Sequence, residues 1–353
     1  MLTVATLQEL LAMTHNNEKI KQLIWDSAAA YKQLVSKDEI HGFQEQLLDW
    51  ESRHTNLLPD LSVAIDTGEP FGNDWKTYPL PPKAYRTMSL DARLAAAHYN
   101  FYMARMKWAL CILNEDPEDN ERSAYSFFYK AMRLTVTQSE EPNDNNSLGD
   151  TQCPNSYSPP EALKIGFLPL LHITGLCSPQ PSWLQWIRDT CALLQQEGVF
   201  KGHTFSTNLD CFHAFELHSK RNLPSTSDRY PAPASRVICH LIPEPDGRHF
   251  VSYFARARYS DDSSSDVPNK RSLLGHAWWR CYQGERPCNP ELHMYGEEPC
   301  VPDLWEWLSS RPGVAAWREW ATHTEFDMQR ALRDHINGAR LLSSPEDVRH
   351  RHG

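Results

Sequence analysis

The stretch EALKIGFLPLLHITGLCSPQPSWLQWI, residues 161–187, sets a single imidazole, His172, inside the most apolar run of the chain. A neutral imidazole in such surroundings can donate a hydrogen bond to a carbonyl. A second group of the same kind is Arg105, inside AAAHYNFYMARMKWALCIL. An unpaired buried charge is very costly, so this guanidinium must meet a carboxylate or a carbonyl; facing a cavity, its fork would polarise a substrate carbonyl. His172 and Arg105 are therefore the candidate catalytic pair. Tyr99, Phe101 and Trp108, beside Arg105, and His213 in HTFSTNLDCFHAFELH are the candidate substrate-binding residues. Each has a plainer alternative: a core histidine on a backbone carbonyl, a structural ion pair, or aromatic packing.

Metal chemistry is the other option these residue types offer. GHAWWRCYQGERPCNPELHMYGEEPC brings His276, Cys281, Cys288, His293 and Cys300 together in sequence, but no C-x-x-C pair occurs and the spacings match no usual zinc pattern. No metal and no cofactor are expected. There is no Gly-rich phosphate loop, no G-x-S-x-G elbow and no H-E-x-x-H helix, which sets aside nucleotide, hydrolase and zinc-protease readings.

The elements that must position these residues follow from composition and punctuation. A chain of 353 residues, 41% hydrophobic, can bury a large core. Its formal charge of -10 repels phosphate backbones, so no direct nucleic-acid partner is expected. The apolar stretch at 161–187 is too interrupted for a membrane span, which needs about 20 apolar residues in a row, and no secretory signal is visible at the N-terminus. Nine scattered cysteines fit reduced thiols and an intracellular, cytoplasmic protein.

Residues 1–85 read as N-terminal helices, two or three over Leu7 to Trp50, followed by a Pro-rich connector ending in YPLPPKAY. Residues 86–353 read as a helical domain with a β insertion at about 236–296. In that domain a long helix starts after Ser89, and its apolar residues lie on nearly every side, the mark of a central helix. A second helix covers roughly 121–136, and an exposed polar loop follows. The next helix starts near Pro159–Glu161, is kinked at Pro169, and turns through CSPQPSW into a partner helix from Trp183 to about Gln196. After a further helix the pattern alternates: Val237, Cys239 and Leu241, the turn PEPDG, then RHFVSYFARARY predict a hairpin, with SLLGHAWWRCYQ and ELHMYG adding strands. From Val301 the pattern is helical again. The fold class expected is mainly α, a multi-helix bundle around a central apolar helix with a small antiparallel sheet inserted.

YNFYMARMKWALCIL, AYSFFYKAMRL, the segment 161–187, QEGVFKGHTFSTNLDCFHAFE, IPEPDGRHFVSYFARAR and EFDMQRALRDHINGARLL, in this order, resemble the regulatory region of fungal binuclear zinc-cluster transcription factors over about residues 88–342. The resemblance implies a fold and transfers no catalytic residue. Regulators of that family also carry a six-cysteine, two-zinc DNA-binding module, whereas here the first cysteine is Cys111, so autonomous DNA binding is not expected. Two functions follow. An apolar interhelical cavity can fold a hydrophobic terpene or polyketide intermediate for a cofactor-independent cyclisation or isomerisation, a reaction of Diels-Alderase type included, through proximity and one polarising donor. The alternative is a transcriptional regulator or small-molecule sensor, nuclear in that case, without the zinc-cluster module.

Overall fold

The computed structural model describes most of residues 2–301; the longer stretches outside the description are 59–74, 137–165, 221–228, 257–270, 281–289 and 302–353. Among the described residues the chain is mainly helical, with a small antiparallel sheet, as the apolar patterning predicts.

The central element is α4, Leu90–Ile112. The Ser89 hydroxyl accepts from the Ala92 amide at 3.3 Å, which closes one open N–H of the first turn. Residues from Ala95 to Ile112 are buried around almost the whole circumference, Lys107 excepted. A helix without a polar face is stable only when other elements cover it on all sides.

Helix α5, Pro117–Thr135, starts four residues earlier than the pattern predicts, with proline at its first position, where a missing N–H is harmless. The turn before it holds Asn114 and Asp116 in left-handed backbone (φ 57° and 38°), and the Glu115 amide reaches back to the Leu110 carbonyl at 3.0 Å. This sharp reversal lays α5 along α4, where Tyr125 and Phe128 meet Trp108 edge-on at 5.9 and 6.2 Å.

The opposite side of α4 is covered by α1 (Leu2–His15), α2 (Glu18–Trp25) and α3 (Lys37–Arg53). Ser36 and Glu39 form a reciprocal capping box at the start of α3. Leu10, Ile20, Leu23, Ile24, Phe43, Leu47 and Trp50 belong to one continuous core with Phe101, Tyr102 and Trp108.

Helices α6 (Phe167–Leu176) and α7 (Pro181–Leu193) form the expected hairpin, and α8 (Gly202–Lys220) packs on it. Pro169 does not kink a helix interior here. The described helix begins at Phe167 with Gly166 as its cap, so Pro169 occupies the first turn, whose amides have no intrahelical acceptor. The expected start at Pro159–Glu161 lies outside the described residues. A two-residue pair between α7 and α8, β1 (Gln196–Glu197) and β2 (Phe200–Lys201), is too short to leave a periodic signal.

The sheet runs β3 (Val237–Pro243), β4 (His249–Arg256), β5 (Arg271–Arg280) and β6 (Glu291–Met294), antiparallel throughout, with β7 (Cys300–Val301) also paired to β5. Val301 is thus strand rather than the start of a helix, and the helical pattern expected after it lies outside the described residues. Phe254 of β4 stacks on Phe215 of α8 at 4.2 Å, which fixes the buried face of the sheet. Gly275 of β5 has φ 151°, and a Cβ there would collide with the His293 carbonyl oxygen of β6. Gly275→Ala is therefore expected to lower stability by about 2–4 kcal/mol through strain and overpacking, read by chemical denaturation. A change below 0.5 kcal/mol would contradict this account of the β5–β6 approach.

Candidate functional site

Arg105 points from the middle of α4 into the end of α2 and is fully buried. Its Nε donates to the carbonyls of Leu23 and Ile24, both at 3.2 Å, and its Nη2 to those of Leu23 and Asp26 at 2.7 and 3.0 Å. The Leu23 and Ile24 carbonyls are ones that a helix leaves open at its C-terminus, where the macrodipole also favours a cation, while that of Asp26 also accepts from the Ala29 amide at 3.1 Å. The remaining nitrogen, Nη1, reaches the Cys177 sulfur at 3.3 Å, directly after α6. The guanidinium thus joins α2, α4 and α6. Burial holds the Cys177 thiol above its ordinary pKa, with the charges of Arg105 and Arg236 opposing that rise.

His172 faces a different neighbour. Asn208 of α8 donates its side-chain amide to His172 Nε2 at 2.8 Å, and the Phe205 ring lies flat on the imidazole at 4.3 Å and 10°. Acceptance at Nε2 means a neutral ring, and burial pushes its pKa down to about 3. The two candidate catalytic donors serve different helix contacts, Arg105 the end of α2 and Cys177, His172 the side chain of Asn208 on α8.

The candidate binding residues divide similarly. Tyr99 stacks on Trp50 at 5.5 Å and its hydroxyl donates a hydrogen bond to the Glu51 carboxylate of α3 at 2.6 Å; burial and the carboxylate together raise its pKa. Phe101 packs between Trp25 and Phe128, at 5.4 and 6.2 Å. Trp108 borders a crevice of about 10 Å³ with Tyr31, Cys177, Phe212 and Cys239, room for at most one water. His213 faces a larger space, a surface groove of about 250 Å³ between α7 and α8, bordered by Pro181, Leu184, Arg188 and Asp210. That groove is smaller than the 300–1,000 Å³ typical of ligand pockets, and its floor carries an Arg188–Asp210 ion pair at 2.7 Å. His213 Nδ1 is 2.6 Å from the Tyr230 hydroxyl.

Sequence patterning missed two further buried guanidiniums, Arg133 of α5 and Arg236. Arg236, just before β3, donates to the carbonyls of Leu176, Ser178 and Pro231 and lies over the Trp108 and Tyr230 rings, at 5.6 and 5.0 Å. It does for the end of α6 what Arg105 does for the end of α2. Its neighbour Val237 donates its amide to the buried Glu216 carboxylate of α8 at 3.0 Å. Nothing local in PAPASRVICH marks this arginine as buried, because its acceptors lie up to 60 residues away.

Among the zinc candidates, His276 and His293 are directly opposite each other on β5 and β6. The side chains of Cys281, Cys288 and Cys300 lie outside the described residues. Among the described residues no three His, Cys, Asp or Glu side chains converge on one point, and no helix is long and apolar enough to cross a membrane. No family model, curated protein or solved structure matches the chain.

Two outcomes are expected. Arg105→Met leaves the Leu23 and Ile24 carbonyls without this donor and should lower stability by about 3 kcal/mol or more, measured by urea unfolding; a loss under 1 kcal/mol would remove Arg105 from this role. Burial also sets a pH dependence. The pKa of His172 is about 3 and that of His98, buried on α4, about 4, against roughly 6.5 for histidine in an unfolded chain. Between these values the unfolded chain binds more protons, so stability falls as pH drops below about 6.5. Each histidine should remove about 2 kcal/mol between pH 7.5 and 5. His172→Phe should flatten that slope, and an unchanged slope in the variant would contradict the buried neutral ring.

Proposed function

We propose that this chain is a non-catalytic regulatory scaffold, similar to the regulatory region of fungal binuclear zinc-cluster transcription factors, that acts through a protein partner. The observation that carries the reading is the use made of Arg105. The side chain best suited to polarise a substrate carbonyl spends its donors on the Leu23, Ile24 and Asp26 carbonyls and the Cys177 thiol, inside a closed core. His172 is engaged likewise by Asn208 and Phe205. Polar groups arranged in this way hold helices in register.

The order of the segments that carry the resemblance gives further support. From α4 through the α6–α7 hairpin and α8 to the β3–β4 hairpin, they pack as one body around Trp108 and Arg236. A cyclase would instead require Arg105 and His172 to present free donors at one end of an apolar cavity, an arrangement that the contacts of these two side chains do not favour. A net charge of -10 fits contact with a protein rather than with duplex DNA.

Tethering tests the proposal. The full chain is fused to a heterologous DNA-binding module and expressed in a fungal reporter strain. Transcription should change at least several-fold relative to the module alone. A folded, nuclear fusion that leaves the reporter unchanged would overturn the regulatory reading, and turnover of a polyene or terpene precursor by the purified chain would replace it with the enzymatic one.

A further inference from the structure

The outer face of the sheet carries a group of side chains that neither the core nor the regulatory reading uses. His276 of β5 and His293 of β6 are direct cross-strand partners. Their rings are stacked, 4.7 Å apart and 19° from parallel. His293 is 54% exposed. Two residues before it on the same strand face, Glu291 places a carboxylate oxygen 3.9 Å from His293 Nε2. Two residues after it, Tyr295 sets its hydroxyl 2.8 Å from His276 Nδ1. Tyr253 of β4 closes the row, its ring 5.7 Å from that of His276.

We propose that His276 and His293 form a two-imidazole, solvent-accessible site for a divalent transition-metal ion of the nickel, copper and zinc class, with its other positions filled by water. The chemistry is that of chelation across an antiparallel ladder. Directly opposed residues have Cβ atoms about 4.5–5.5 Å apart, so two imidazoles on one face reach a common ion without moving the backbone. Imidazole nitrogen suits these metals and bonds them at about 2.0–2.1 Å. The Tyr295 hydroxyl occupies Nδ1 of His276, which leaves Nε2 as the coordinating nitrogen and sets the ring's rotation, the part an outer partner plays at many metal-bound histidines. A tip of the exposed His293 ring brings its nitrogen to the same point. Gly275, one residue before His276, allows β5 and β6 the close approach that this geometry needs.

This site differs from the four-ligand zinc set weighed from the sequence. It needs no cysteine and holds its ion exchangeably, with open positions filled by water. A bound ion would cross-link the four-residue edge strand β6 to β5. It is independent of the regulatory proposal.

The test is calorimetric titration of the full chain, prepared without an affinity tag, with nickel chloride. One ion per chain should bind, and unfolding should shift to higher temperature in its presence. His293→Gln and His276→Gln should each weaken binding at least tenfold, and Tyr295→Phe about tenfold through loss of the outer partner. Circular dichroism of each variant without metal monitors folding, and the exposed His293 makes His293→Gln the variant least able to disturb it. No binding to the unsubstituted chain would overturn the proposal, as would full-strength binding to the folded His293→Gln variant, which would assign the ion to other histidines.

Discussion

Helix ends that run into a core bring carbonyl oxygens with them, and the organisation of this protein depends on how two such ends are closed. At α2 the donor is Arg105 and at α6 it is Arg236, both fully buried. An arginine suits this task because its planar fork presents five N–H groups and stays charged at any pH the fold survives. The cation also meets the negative end of the helix dipole, which offsets part of its desolvation, and at Arg236 the Glu216 carboxylate adds to that. Around these clamps the aromatic residues of α4 and α5 fill the remaining space, with Trp108 in contact with both Arg236 and the α5 rings.

The division of labour along α4 follows from that constraint. Tyr99 looks toward α3, Phe101 toward α2 and α5, Arg105 toward the end of α2, and Trp108 toward α5 and Arg236. Side chains four residues apart share a face, so a single helix can address several neighbours only if nearly every position is committed. The residues that looked most chemical in the sequence are committed in the same way. His172 ends against Asn208, and its neutral state is a consequence of burial.

Much of the fold was legible in the sequence. The all-round hydrophobicity of residues 90–112, the Ser89 cap, the Pro-broken α6–α7 hairpin and the alternation from Val237 are local signals, and each is found where the local pattern puts it. The site was far less legible. Arg105 meets partners 72 to 82 residues away and His172 a partner 36 residues away, distances at which spacing says nothing about contact. Pro169 misled for a related reason: proline reads as a kink or as a helix start depending on where the first turn lies, and that boundary is set by tertiary packing. The His276–His293 pair was visible as residue types, but its register came only with the strand pairing.

The turn at Asn114–Asp116 sets a timetable. It joins two long helices through a handful of residues, so the α4–α5 contacts close a short loop at small entropic cost and belong to the fast part of folding. The Arg105 clamp closes a loop of about 80 residues and waits for α2 to arrive. On this ordering, truncating Arg105 speeds unfolding and leaves the refolding rate nearly untouched; an equal loss in the refolding rate would reverse the sequence of events. By the same loop-length argument the Tyr31 hydroxyl, which donates to the Pro233 carbonyl 202 residues away, closes later still, so the N-terminal helices are tied to the rest of the chain by its longest closures.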